Sequence, residues 1–381
     1  MSVTINGTGN TITPVTVNTT GSVNGITPQA SNMQPFNRII NGAMTIDQRN
    51  AGASVTPTNG QYVIDRWKQY QSVASKYSVQ QNAGGVTPPA GFANYLGVVS
   101  LSSYTSSSND YFTLEQTIEG YNVADLGWGT ADAESVTALF WVRSSLTGTF
   151  GGSIKNKSSS ADRSYPFSFV ISVANTWEQK TITVIGDTTG TWLNTNGLGI
   201  TLSINLGTGT TYSGTAGSWA GTNYLSATGA TSVVGTSGAT FYITGVQLEA
   251  GSTASPFAHE NYGDTLQKCQ RYYYSISEAQ LGEGLLFGIG TFYDGSDLRV
   301  IVNLPVTMRA TPTIESSSTT NDFRLINNGG SDYFTGIGSA GGNFRTAAHL
   351  YKAGVSGTGG QSGILMTGGT GVAYIGFRSE L

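Results

Sequence analysis

The sequence contains little charge and a single cysteine. Charged residues make up 10% of the 381 residues, against about 25% in an average soluble domain. The 18 Lys and Arg residues form no basic cluster and face 22 Asp and Glu residues, so we expect no nucleic-acid partner. Because Cys269 is the only cysteine, no disulfide can form within the chain. Rigidity must then come from packing or from association of copies.

Long apolar runs are also missing. No stretch approaches the about 20 consecutive apolar residues of a membrane-spanning helix, so no membrane insertion is expected. The first ten residues, MSVTINGTGN, lack the basic region and apolar core of a secretory signal. Together with the single cysteine, this start fits assembly in a reducing cytoplasm.

Glycine and aromatic residues are well represented. Glycine occurs 52 times, which is roughly twice its average usage of about 7%. Aromatic residues reach 10%, enough to fill a core and unlike the composition of a disordered chain. Apolar and polar residues alternate along residues 200–206, and residues 136–142 are apolar on both faces. Many short strands joined by tight turns are therefore predicted, and the chain is expected to be all-β.

The pattern divides the chain into four segments. Residues 1–36 form a polar extended arm that has too little apolar content for a core of its own. Residues 37–258 alternate as the strands of a β-sandwich do. A capping pattern that begins at Asp264 predicts a helix over 264–274, within a short linker at 259–276. Residues 277–381 predict a smaller C-terminal β domain.

Three tryptophans, Trp128, Trp192 and Trp219, lie in predicted loops. Exposed indole faces stack against the apolar side of a pyranose ring, which makes these residues candidate glycan-binding residues. The alternative is that each ring packs over an end of the sandwich. Trp67 and Trp141 are flanked by strand-like sequence and are expected in the core.

Groups that could carry catalysis are sparse. The two histidines, His259 and His349, lie in no recognisable nucleophile motif. Carboxylates in the sandwich region could form the acid pair of a glycosidase only if the fold placed them about 5–10 Å apart. The alternative is that they are solvated or form turns; they are Glu115, Glu119, Asp125, Asp132, Glu178 and Asp187. No catalytic residue is assigned.

No metal site or cofactor is predicted either. A zinc site would need Cys or His ligands in close pairs, and the sequence has none. A structural calcium ion held by loop carboxylates and carbonyls is chemically allowed, but no loop is marked for one.

An ordered series of short motifs resembles a module that is widespread in phage virion and tail-fibre proteins. It comprises NRIING at 37–42, DQRNAG at 47–52, VIDRW at 63–67, LEQTI at 114–118, FWVR at 140–143, WEQKTI at 177–182, GDTTG at 186–190, FYITGVQLE at 241–249, PF at 256–257 and CQRYYY at 269–274. The segment LPVTMRATPT at 304–313 is similar to the usual C-terminal continuation of these proteins.

The resemblance implies a virion protein, commonly a fibre, whose sandwich is similar to carbohydrate-binding jelly rolls. The leading interpretation is a non-enzymatic tail fibre or related appendage for attachment to the host surface. The arm would dock to other virion proteins, and a host-surface glycan is the candidate ligand. A homotrimer is expected because closed assembly would bury the arm and remove exposed strand edges.

Two other interpretations remain open. The chain could be a capsid decoration or head-fibre protein, which the sequence does not separate from a tail fibre. It could also be a polysaccharide depolymerase, although it lacks the regular short repeats of a β-helix. The expected location in either virion interpretation is the particle, assembled in the host bacterial cytoplasm.

Overall fold

The computed structural model describes residues 37–156, 162–282, 284–339 and 341–381. Strands account for 41% of the chain and helices for 7%, which confirms the all-β prediction. The arm at 1–36 lies outside the described residues, so its role in docking stays a prediction. Among the residues described, no helix has the length and apolar character needed to cross a membrane.

The sandwich is built from short antiparallel strands and from two long central ones. The strands are β1 (Tyr62–Ile64), β2 (Trp67–Gln71), β3 (Tyr77–Gln81), β4 (Leu96–Ser100), β5 (Tyr111–Glu119), β6 (Val136–Ser144), β7 (Gly148–Lys155), β8 (Ser164–Ile171), β9 (Glu178–Val184), β10 (Leu198–Thr208), β11 (Ser213–Gly214), β12 (Ser226–Ala227) and β13 (Thr240–Ala250). Single-turn 3-10 helices lie at Ala83–Gly85, Gly120–Asn122, Ala124–Leu126 and Thr210–Tyr212.

Two sheets face each other across one core. One has the order β1-β2-β5-β10-β7-β8 and the other the order β3-β4-β13-β6-β9. Phe150 on β7 lies 5.8 Å from Phe241 on β13, and Phe140 on β6 lies 5.2 Å from Phe169 on β8, measured between ring centroids. These contacts join the inner faces, and the jelly-roll-type sandwich is confirmed.

The two tryptophans expected in the core differ in burial. Trp67 on β2 is fully buried, and its indole donates to the carbonyl of Asn41 at 3.1 Å. Trp141 on β6 is only partly buried, because its neighbours Phe140 and Val142 take the inward positions of the strand. The expectation for Trp141 was therefore wrong.

The rest of the chain forms a second, separate hydrophobic cluster. Its elements are α1 (Tyr262–Gln270), β14 (Tyr273–Ser277), α2 (Glu278–Leu281), β15 (Leu286–Phe292), β16 (Leu298–Asn303), β17 (Thr313–Ser316), β18 (Phe323–Asn327), β19 (Gly330–Phe334), β20 (Gly338–Ser339), β21 (Ala347–Lys352), β22 (Ser362–Thr367) and β23 (Tyr374–Arg378). A three-stranded sheet has the order β14-β23-β17, and a seven-stranded sheet has the order β19-β18-β22-β15-β16-β21-β20.

The helix differs from the prediction at both ends. It begins at Tyr262, after Asn261, so that Asp264 lies in its first turn and does not cap it. It ends at Gln270, and Tyr273 begins strand β14, which pairs with β23 so that Tyr273 lies opposite Arg378. Aromatic side chains favour a pleated, half-buried surface, and the tyrosines at 273 and 274 lie in the strand rather than in the helix. The partner strand lies about a hundred residues away, beyond the reach of a local pattern.

The contact between the sandwich and the C-terminal strands is polar and buried. The carboxylate of Glu380 is ion-paired with Arg49 at 2.9 Å and, more closely, with Arg66. The Arg66 guanidinium lies 3.6 Å from the ring centroid of Tyr272, and the Arg49 guanidinium lies 3.6 Å from that of Tyr273. Within residues 37–381, which form one compact unit, these groups join the two hydrophobic clusters.

A second ion pair reinforces this junction. Glu119, at the end of β5, accepts hydrogen bonds from Arg271 at 2.6 and 3.0 Å and from the Tyr272 hydroxyl at 2.7 Å. Burial alone would raise the pKa of Glu119, but these donors outweigh it and the pKa lies below its ordinary value. The carboxylate is therefore charged and held in place.

Candidate functional site

The three tryptophans proposed from sequence converge in one tryptophan cluster (Trp128, Trp192 and Trp219). Ring centroids lie 4.7 Å apart for Trp128 and Trp192, 5.3 Å for Trp128 and Trp219, and 5.5 Å for Trp192 and Trp219. The three interplanar angles are 81°, 80° and 79°. Each pair is thus edge-to-face, which is a favoured geometry for aromatic rings.

Hydrogen bonds fix the orientation of all three rings. Each indole N–H donates to a backbone carbonyl: Trp128 to Glu134 at 2.6 Å, Trp192 to Thr189 at 3.1 Å and Trp219 to Ile185 at 2.7 Å. Since these donors are already satisfied, a ligand would meet carbon surface rather than an N–H group. The rings are held in place before any ligand arrives, which lowers the entropy cost of binding.

The three rings differ in exposure. Trp128 is 8% exposed and belongs to the main hydrophobic core, whereas Trp192 and Trp219 are partly buried and pack against that core. Trp128 therefore packs into the sandwich core, as the alternative interpretation of the three tryptophans expected. Exposed ring surface in the cluster belongs to Trp192 and Trp219, for which glycan binding stays a prediction.

A salt bridge borders the tryptophan cluster. Arg163 donates to the two carboxylate oxygens of Asp187 at 2.6 and 2.8 Å, and its guanidinium lies 5.9 Å from the ring centroid of Trp219. Thr189 donates to the same carboxylate through its N–H and its hydroxyl. Burial raises the pKa of Asp187, but the Arg163 and Thr189 hydrogen bonds outweigh it and hold the pKa below its ordinary value.

Two glycines allow the loops to approach this closely. Gly190 has φ +80°, and a Cβ there would lie 2.5 Å from Cγ of Arg163. Gly129 has φ +87°, and a Cβ there would lie 2.9 Å from the carbonyl oxygen of Gly190 and 3.3 Å from Cδ1 of Trp192. Only glycine fits both the left-handed backbone and these distances. The GDTTG motif at 186–190 therefore positions part of the site.

This arrangement suits the recognition of a sugar. Nearly perpendicular indoles form an apolar corner that matches the C–H face of a pyranose. The Arg163 guanidinium and the Thr189 hydroxyl lie beside it and can orient sugar hydroxyls, while the buried Asp187 holds both in place. Sequence reasoning found the tryptophans but missed Arg163 and Tyr165, whose ring centroid is 5.3 Å from that of Trp219. No local signal connected those residues to the loops.

Most of the carboxylates considered for catalysis are held in ion pairs. The pairs are Glu115 with Lys155, Glu119 with Arg271, Asp125 with Arg38, Glu178 with Lys180 and Asp187 with Arg163. Asp132 is exposed at the surface. The pKa of Asp125 is lowered mainly by hydrogen bonds from Arg38, and the donors to Glu178 outweigh burial and lower its pKa as well.

The histidines do not form a catalytic set with these carboxylates. His259 is exposed, and its ring contacts Phe92 and Phe257 at centroid distances of 5.1 and 4.9 Å. His349 lies on β21, where its backbone N–H donates to Asn343. In the described part of the chain, no group of three or more His, Cys, Asp or Glu residues could hold a metal ion.

A small cleft lies beside His259. Its volume is about 210 Å³, and residues 37–45, 91–93 and 257–265 contribute to its walls. Small-molecule sites usually have volumes of about 300–1,000 Å³. The cleft has no charged side chain that is both buried and directed into it among the contacts described. We therefore consider the tryptophan cluster the better candidate.

Comparisons with known proteins give matches to solved structures only. No protein-family model matches the chain, and no curated protein matches it. Similar solved structures include the enzymatically active domain of tailspike protein 4 from bacteriophage CBA120, at 13% identity and a TM-score of 0.33, with 56% of this chain and 21% of that chain covered. This chain thus spans about a fifth of that tailspike structure.

Two carbohydrate-binding modules are also similar. One is the family 11 module from Clostridium thermocellum, at 12% identity and a TM-score of 0.28, covering 54% of this chain and 98% of that chain. The other is the CBM22-2 xylan-binding domain from Paenibacillus barcinonensis, at 14% identity and a TM-score of 0.29, covering 52% and 99%. At these scores, the function has to be argued from the residues of this chain.

Proposed function

We propose that this chain is a non-enzymatic attachment protein of a bacteriophage particle and that it binds a host-surface glycan through Trp192 and Trp219. The observation that carries the glycan proposal is the convergence of tryptophans from three loops. Their ring orientations are fixed by hydrogen bonds to the backbone, and two of the rings are partly exposed beside a salt bridge. Such a surface combines apolar stacking with polar groups that fix orientation.

The phage assignment is supported by the ordered motif series that spans roughly residues 37–275. A tail fibre or related appendage is the leading placement, and a capsid decoration or head-fibre protein is the second. Counting copies per particle separates them. A count that matches a few appendages supports the tail, and a count that matches the repeated shell positions supports the capsid.

A non-enzymatic role is supported by the state of the carboxylates. A glycosidase needs one carboxylic acid whose pKa is raised so that it stays protonated. Among the carboxylates considered for catalysis, Glu119, Asp125, Glu178 and Asp187 have lowered pKa values instead. Burial raises the pKa of Asp65 to about 7, but this side chain is fully buried and accepts hydrogen bonds from Gln48, so it does not face a substrate. Release of oligosaccharide from host envelope polysaccharide by the purified protein would contradict this part of the proposal.

Alanine substitution tests the binding surface. Trp192→Ala and Trp219→Ala should each weaken adsorption to host cells by about 30-fold, because losing a central aromatic contact costs about 2 kcal/mol. Trp177→Ala is the matched control, since Trp177 is also partly buried and donates its indole N–H to a backbone carbonyl, that of Thr87, at 2.9 Å. Near-ultraviolet circular dichroism would verify that the variants keep their packing. Unchanged adsorption in both cluster variants would remove this surface from consideration.

A further inference from the structure

A second group of aromatic rings lies on the outer face of the six-stranded sheet. It is formed by Tyr70 on β2, Tyr111 on β5 and Tyr212 in the single-turn helix that follows β10. The ring centroids of Tyr70 and Tyr111 lie 5.1 Å apart with an interplanar angle of 21°, and those of Tyr111 and Tyr212 lie 5.3 Å apart at 84°. These three residues, the tyrosine cluster, combine a stacked pair with an edge-to-face pair.

The strand register explains why the rings meet. Tyr70 is paired with Thr113, so Tyr111 is its diagonal neighbour on the same face of the sheet. Phe112 is fully buried in the core of the sandwich, and the side chain of Tyr111 beside it therefore points away from that core. Strand β10 ends opposite Tyr111, and the turn that follows brings Tyr212 alongside.

The tyrosine cluster is partly open to solvent. All three of its side chains are only partly buried, unlike the fully buried Phe112. Thr211, next to Tyr212 in the chain, donates to the side-chain oxygen of Asn109 at 2.7 Å, and both of these residues are exposed. The amide N–H group of Asn109 can therefore donate to a ligand beside the cluster. Stacking surface and hydrogen-bonding groups thus occur together, as sugar recognition requires.

The tyrosine cluster and the tryptophan cluster lie at opposite ends of β5. Tyr111 begins this strand. Gly120 follows its last residue and contacts the loop that carries Trp192, since a Cβ on Gly120 would lie 2.4 Å from the carbonyl oxygen of Leu193. The strand has 9 residues, which at about 3.4 Å per residue make it about 30 Å long. The two clusters are therefore separate surfaces.

A short segment of chain joins the two clusters directly. Residues 213–218 connect Tyr212 to Trp219, so the Cα atoms of these two residues are at most about 25 Å apart. Four residues of the segment are exposed, uncharged and small; they are Thr215, Ala216, Gly217 and Ser218. A sugar chain that lies along this segment would meet no bulky or charged side chain from these four residues.

We propose that the tyrosine cluster is a second subsite for the host-surface polysaccharide and that one polysaccharide chain contacts both aromatic clusters. This inference rests on the proposed glycan binding at Trp192 and Trp219. A chain that is already held at one subsite presents its next sugar units to the other at high effective concentration, which raises the overall affinity. Only fragments long enough to reach over about 25 Å gain this advantage.

Isothermal titration calorimetry of the full chain tests the proposal, with purified host-surface polysaccharide and size-fractionated fragments of it as ligands. Tyr212→Ala should raise the Kd for the long chains by about 10-fold or more, and should have a much smaller effect on fragments too short to reach both clusters. Tyr212→Phe keeps the ring and should bind like the wild type. Tyr262→Ala is the matched control, because Tyr262 is 61% exposed and lies in α1, outside both clusters.

A measurement on the wild-type sequence does not depend on the folding of a variant. In protein labelled with fluorotyrosine, the fluorine resonance of Tyr212, assigned with Tyr212→Phe, should shift on titration with the long chains. An unmoved Tyr212 resonance at saturation, or long chains that bind Tyr212→Ala as tightly as the wild type, would overturn the proposal. The attachment role would stand in that case if Trp192→Ala still lost adsorption, whereas a wild-type protein that binds no polysaccharide would overturn both.

Discussion

Removing the carboxylate of Glu380 tests how the sandwich and the C-terminal strands are held together. Glu380 is 314 residues from Arg66 in sequence and is ion-paired with both Arg66 and Arg49. The side chain of Glu380 is 5% exposed and that of Arg66 is 1% exposed. Glu380→Gln keeps the size of the side chain and removes its charge.

The expected cost follows from leaving buried guanidinium groups without their counter-charge. Removing one partner of a buried ion pair destabilises a protein by about 3–5 kcal/mol. Arg66 keeps its hydrogen bond to the Thr117 carbonyl and its contact with the Tyr272 ring, so we expect a value within that range rather than above it. For a unit the size of residues 37–381, the loss corresponds to a decrease in melting temperature of about 4–7 °C.

Differential scanning calorimetry is the appropriate assay, because weakening the junction should also separate the melting of the two hydrophobic clusters. Glu260→Gln is the control, since it removes a carboxylate from the exposed Glu260–Lys268 pair and should cost no more than about 1 kcal/mol. If Glu380→Gln melted like the control, the junction would contribute little to stability and the reasoning would be refuted.

Three further outcomes are expected. Burial raises the pKa of Asp65 from 3.8 to about 7, so between pH values of about 4 and 7 the folded state holds a proton that the unfolded state has lost. The free energy of unfolding should therefore fall as the pH rises through this range. Urea melts at several pH values should show this slope, and Asp65→Asn should flatten it. Arg163→Leu should leave the buried Asp187 carboxylate without its cation, costing about 3 kcal/mol and shifting tryptophan fluorescence; unchanged fluorescence would contradict the described contact. Gly190→Ala should cost about 1–3 kcal/mol by thermal melting, because its φ of +80° and the 2.5 Å approach to Arg163 exclude a Cβ.

Local patterns were sufficient to predict strands. The alternation over residues 200–206 lies inside β10, which runs from Leu198 to Thr208 and is buried along most of its length. The glycine-marked turns and the all-β class follow from the same signals. The helix at 262–270 was found from its local apolar spacing, although Asp264 lies in its first turn and is not its cap. Its end was missed because strand β14 depends on a distant partner.

Contacts between distant segments could not be predicted. Trp128, Trp192 and Trp219 were recognised as loop residues, but only the fold brings their rings within 5.5 Å of each other. The pairing of Glu380 with two arginines has the same origin. Each depends on strand order and register, which composition and periodicity do not encode.

Fluorine NMR on protein labelled with fluorotryptophan would test the central claim most directly. The chain has six tryptophans, and substitution of each in turn would assign its resonance. On titration with purified host-surface polysaccharide, we expect the resonances of Trp192 and Trp219 to shift with saturable dependence on concentration, while those of Trp67 and Trp177 stay in place. Binding that shifts the Trp177 resonance alone, or an absence of any shift at saturating polysaccharide, would contradict a glycan site at the tryptophan cluster.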